Sequence, residues 1–176
     1  MKRGLIFLLS MVVIPLLAGL YGSLHDQLSY TVSPEYFTKF KYDQFGFEPA
    51  WFGGHRATVA VIGFLATWWV GLLIAVFLAP LSLMFKDPAR MRKELQLAVV
   101  VTLGTAAVCG LLGLGYGWFF IERVPYGWYF PEGVTDQHAF LSVGSMHNMS
   151  YLGGVLGLCA AVSLMVWRKK RNGKVG

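Results

Sequence analysis

Charge is scarce in this chain, and its distribution excludes more than its amount does. Lys, Arg, Asp and Glu make up 14% of 176 residues, against about a quarter in soluble globular domains. Four stretches hold none at all: Leu5 to Gly22, Thr58 to Phe85, Leu95 to Ile121 and Met149 to Trp167. Ion and substrate pathways usually carry an ionisable residue in the membrane interior, so a small transporter ranks below other readings, and a pore would need an oligomer. Cysteine is nearly absent too. Only Cys109 and Cys159 occur, both inside apolar stretches, which excludes a structural disulfide between the polar connections and leaves them as small buried apolar residues. The chain also lacks H-E-x-x-H, E-x-x-H, C-x-x-C and G-x-S-x-G, so no short motif names a reaction.

What is present is membrane-forming. The composition is 56% hydrophobic with a mean hydropathy of +0.55, and each uncharged stretch is long enough to cross a hydrocarbon core of about 30 Å. The expected fold is all-α: an integral membrane four-helix bundle with an extracytoplasmic cap that contains a short interfacial helix. We read one membrane domain, 1–176, with helices at about 5–22, 58–85, 95–121 and 149–167 and outer loops 23–57 and 122–148. The net charge of +6 does not point to nucleic acid, because its placement has a topological cause. The termini and the second connection carry eleven basic residues, from Lys2 to Lys174, against Asp87 and Glu94. The first and third connections carry Lys39, Lys41, Arg56 and Arg123 against seven acids. Lys and Arg of short loops stay on the cytoplasmic side. Both termini are therefore expected in the cytoplasm and both long loops outside, in a bacterial inner membrane. Lys2-Arg3 before an apolar run also looks like a signal peptide, but no small-x-small cleavage site follows convincingly, which favours an uncleaved anchor.

The segment from His25 to Arg56 is the long stretch that is both polar and aromatic. Within it Ser33-Pro34-Glu35 reads as a helix start, with a serine cap, proline at the first position and an acid in the first turn. A short helix to about Gln44 follows, and its rings with Lys39 and Lys41 suit a headgroup layer. Gly113 with Gly117, and Gly153 with Gly157, make G-x-x-x-G spacings that bring the third and fourth spans close together. Trp68-Trp69 reads as packing or lipid contact.

All four histidines, His25, His55, His138 and His147, fall on the expected outer side, three of them near helix ends, and Glu122 ends the third span there. A bundle brings His25, His55, His147 and Glu122 into one layer, with Glu35, Asp26 and His138 from loops. Imidazole and carboxylate suit a transition metal, zinc, copper, iron or manganese, held between facing helices. The candidate ligands are His25, Glu35 and His147, with His55, Glu122 and His138 as alternates. Haem ranks below a non-haem metal, since the histidines sit at the interface. The competing explanation is that polar residues collect outside because the spans exclude them, and that end histidines cap or hydrogen-bond. Under it the protein is a non-catalytic accessory subunit whose aromatic loops meet a membrane-protein partner or a second copy, besides the lipid bilayer.

The motif S-Y-T-V-S-P-E-Y-F-T-K-F-K within residues 25–45, together with A-T-W-W-V-G in the second span, resembles a set of bacterial membrane proteins without an assigned activity. The resemblance covers about the first half of the chain and implies a bacterial source, with no cofactor or catalytic residue attached.

Overall fold

The computed structural model describes residues 2–121, 128 and 130–172. Four long helices dominate: α1 (Arg3–Val32), α4 (His55–Ser82), α5 (Pro88–Phe120) and α6 (Gln137–Asn172). Between α1 and α4 lie α2 (Pro34–Tyr36), a π-helical turn Phe37–Lys41, α3 (Tyr42–Phe45) and a 3-10 turn Pro49–Phe52. No strand occurs among the described residues. All four long helices are apolar enough to cross a membrane, and no more than a third of the most apolar window of each is buried. The remainder, including Leu8, Leu24, Phe77 and Phe119, faces outward. Water would not tolerate such a belt on every side, so the chain fits a multi-pass membrane protein. Trp68 and Trp69 belong to this outward surface.

The bundle is built from two hairpins. In the first, α1 and α4 meet where Gly22 and Gly63 put backbone against backbone, and a side chain at either position would collide with the other's carbonyl. Thr67 donates its hydroxyl to Ala18 O at 2.8 Å, and Ser23 donates to Ala60 O at 2.7 Å, across the same seam. In the second, α5 and α6 close as the glycine spacings predict: a Cβ on Gly113 would meet Ser145 O at 2.7 Å, and one on Gly153 would meet Thr105 O at 2.9 Å. Small residues thus replace the hydrophobic driving force that lipid cannot supply. Contacts between the two hairpins are much sparser than those within them. Of the two cysteines, both free, Cys109 is half-buried and Cys159 exposed, so the expectation that both are buried fails for Cys159, whose α6 face looks outward.

The ends of the bundle differ. At the basic end, where α1 and α5 start and α4 and α6 finish, Leu78, Phe85, Met91, Ala98 and Met165 form an apolar core. There Glu94 is buried against Arg168, at 2.7 Å, and Arg90, at 3.9 Å. At the cap end Tyr36, Phe37, Tyr42, Val59, Ile62, Phe140 and Val143 pack together. Ser33 accepts a hydrogen bond from the Tyr36 N–H, and Pro34 opens the short helix as its sequence predicts. Its rings, however, turn inward onto α4 and α6 instead of lining the headgroup layer. Phe37 is fully buried, whereas Trp51 stays exposed.

Two helices run further than hydropathy alone suggests. α1 continues ten residues past Gly22, to Val32, and α6 starts at Gln137, twelve residues before Met149. Backbone bonding, not apolarity, sets these ends. At the end of α1 the Ser33 N–H donates to Ser29 O at 2.9 Å, and the Asp136 carboxylate accepts the Ala139 N–H at 2.9 Å to cap α6. His25, Asp26 and His147 are therefore helical residues, not loop residues.

Candidate metal centre

Helical spacing makes the site. On α1 the buried positions Gly19, Gly22, Asp26 and Ser29 follow one another at three and four residues, so Asp26 lies on the inward stripe. On α6 Phe140, Val143, His147 and Ser150 do the same. The two stripes meet near the cap end of the bundle. His25, Asp26 and His147 each offer one ligand atom, and these atoms all lie within 4.8 Å of one another.

The geometry within the triad is specific. His25 Nδ1 shares a hydrogen bond with Asp26 Oδ1 at 3.2 Å, while His147 Nε2 stands 3.8 Å from the same oxygen. With Nδ1–H donating to the carboxylate, His25 Nε2 carries a lone pair on the far side of the ring, so an ion shared with Asp26 would take the place of the Nδ1 proton. Both Nε2 atoms are buried without a hydrogen-bond partner. Buried polar atoms are normally satisfied, so two such nitrogens about a shared carboxylate mark a place made to receive something. The rings of His25 and His147 meet edge to face, 4.8 Å between centroids, leaving no plane for a porphyrin between them. Tyr36 stacks flat on His147 at 4.9 Å, and Tyr21 shares a 2.7 Å hydrogen bond with Ser150 beside the triad.

The cap supplies a cation. Lys41 lines the cavity next to Asp26 and His147, with its ammonium 5.8 Å and 5.2 Å from the centroids of the Tyr36 and Phe40 rings. Burial pushes its pKa below the usual lysine range, and the charge of Asp26 pulls the other way. Burial likewise raises the Tyr36 phenol, with Asp26 adding to it.

The other candidate ligands lie elsewhere. Glu35 reaches across to the segment before α6, accepting from the Asp136 N–H at 2.8 Å and the Thr135 hydroxyl at 2.7 Å. Those bonds, the Asp136 N–H first, hold its carboxyl below the ordinary range. His55 shares a 3.0 Å hydrogen bond with the Tyr42 hydroxyl, a phenol that burial and nearby Tyr30 push up to about 12. His138 donates from Nε2 to Trp118 O at 2.7 Å. These two end histidines do what capping and hydrogen bonding require. Glu122 lies outside the described residues. Asp26, placed by sequence among the loop-supplied groups, is the centre of the cluster, and the Gly22, Asp26, Ser29 spacing is the signal that would have shown it. Tyr21, Lys41 and Ser150 carried no such signal. No family model, no curated protein and no solved structure matches this chain.

Proposed function

We propose that this is a multi-pass protein of the bacterial inner membrane, both termini cytoplasmic, that holds one divalent transition metal ion near the extracytoplasmic end of its bundle. The carrying observation is the buried His25, Asp26, His147 triad with its two unpartnered Nε2 atoms. The charge asymmetry along the sequence supports the orientation. Two imidazoles and a carboxylate suit zinc first, with copper, iron or manganese as alternatives. Ligands on a zinc-sized ion with bonds of about 2.1 Å stand about 3.4 Å apart, so the widest separation of 4.8 Å closes on binding. Three protein ligands leave a coordination position for a water or a substrate oxygen, which is the pattern of working rather than structural zinc.

Elemental analysis of the purified, detergent-solubilised chain tests this. The expected result is close to one transition metal per chain, lost in His25→Ala and in His147→Ala and kept in His55→Ala and His138→Ala. A wild-type protein that retains no zinc, copper, iron or manganese after loading and dialysis would overturn the reading and favour the accessory-subunit alternative.

A further inference from the structure

The space beside the triad continues into the bundle. Between the two hairpins lies a cavity of about 50 Å³, bounded at its cap end by Tyr21, His25, Asp26 and His147 and deeper in by Ile74 and Leu103. A constriction lined by Ile14, Ile74, Val99 and Leu103, too narrow for a water molecule, closes its inner end. Beyond, sharing Ile14 and Val99, runs an apolar groove of about 350 Å³ between α1 and α5. One end of this series is polar and buried, and the rest is mainly aliphatic, with Thr102, Ser10 and Gln96 among its lining.

The shape and chemistry of the polar end narrow the occupant. Each long helix contributes a small residue to the cavity wall, Ala18, Ala66, Ala106 and Gly154, which keeps space open between the four helices at this level. Asp26 is buried beside two imidazoles, and the Lys41 ammonium lines the same cavity. That one cation is already balanced by Asp26, so a further anion such as a fatty acid or a phosphate is disfavoured there. Two free Nε2 atoms and the hydroxyl pair of Tyr21 and Ser150 instead offer donors and acceptors to a neutral ring bearing oxygens. Sparse packing between the hairpins lets the cavity widen for it.

We propose that this cleft binds a quinone or quinol with a long aliphatic tail, its ring at Tyr21, His25 and His147 and its tail along the α1/α5 groove. The proposal rests on the triad as the polar end of the cleft, and so deepens the reading above without depending on the ion.

The test titrates the full chain in detergent with a decyl-tailed dimethoxybenzoquinone. Binding is followed by quenching of tryptophan fluorescence, to which Trp68 and Trp69, adjoining Thr67 and Val70 of the cavity wall, contribute. Decylbenzene serves as a tail-only competitor. The expected outcome is quenching that saturates at one quinone per chain and survives a tenfold excess of decylbenzene. Ala106→Phe, which fills the cavity, and Tyr21→Phe, which removes one hydroxyl, should each weaken binding about tenfold or more, in line with the loss of space or of one buried hydrogen bond. If Ala106→Phe does not fold, Tyr21→Phe decides alone. Quenching without saturation, full relief by decylbenzene, or unchanged binding in the folded variants would overturn the proposal. Metal content measured on the same samples reads the triad separately: saturable quinone binding by a metal-free protein upholds this inference while the metal reading fails, and metal without quinone binding does the reverse.

Discussion

Among the described residues each end of the bundle buries one carboxylate, and the two are treated in opposite ways. Glu94 at the basic end lies between two guanidiniums, Arg168 at 2.7 Å and Arg90 at 3.9 Å, permanent cations whose stems reach back toward the surface. Asp26 at the cap end faces two imidazoles, groups that can be neutral or charged and that bind metals. The first arrangement is an ion pair tying α5 to α6. The second leaves both imidazole Nε2 atoms without a hydrogen-bond partner. Arginine beside a buried carboxylate can only neutralise it, whereas histidine can also carry a proton or ligate a metal.

Substitutions can break or sharpen that contrast. Arg168→Ala should cost the most stability, about 2 kcal/mol; a fully buried pair loses more, but Arg168 is one-third exposed and Arg90 remains beside the carboxylate. Thermal unfolding in detergent measures it. Asp26→Asn should change stability by less than about 1 kcal/mol, because the amide keeps the shape and a hydrogen bond to His25, yet it should abolish metal retention. Equal destabilisation by both substitutions would erase the distinction between the ends. Tyr36→Leu, which removes the ring stacked on His147 and so frees that imidazole to turn, should weaken metal binding by about tenfold, and a chelator competition titration reads it.

The smallest expected effect is a pH dependence at Glu35. Its folded pKa is lowered by the Asp136 and Thr135 bonds, so its contribution is present above the ordinary carboxyl value of 4.5 and lost as pH falls through the lower folded value. The gap in melting temperature between wild type and Glu35→Gln should therefore be open at neutral pH and close in acid. A gap that stays constant down to pH about 3 would show that Glu35 does not titrate against those donors.

The apolar architecture was legible because uncharged length and glycine spacing are local properties. Four spans, the Ser33 cap and the seam of Gly113 and Gly153 follow from a few residues each. The seam at Gly22 and Gly63 is as tight but lacks a G-x-x-x-G spacing on either helix, and it escaped notice. The site was half legible: His25 and His147 stand out as ligand types on one side of the membrane. Asp26 did not, because falling hydropathy after Gly22 imitates a loop, although the backbone stays helical to Val32. Glu35 looked like a ligand by type, and only the fold shows that it spends its lone pairs on backbone N–H groups a hundred residues away.

The π-helical turn at Phe37–Lys41 has a consequence for insertions and deletions. Its Tyr42 N–H reaches back five residues to Phe37 O, so it holds one residue more than an α-helical turn would. Spread over five residues, the wider turn still brings Lys41, four positions on, back to nearly the side of Phe37, so the ring faces the core and the ammonium reaches the cleft from one face of the cap. Deletion of Thr38 would leave three steps of about 100° between them and swing the lysine away from the ring that anchors it. The turn thus sets the angle between the anchor of the cap and its charge.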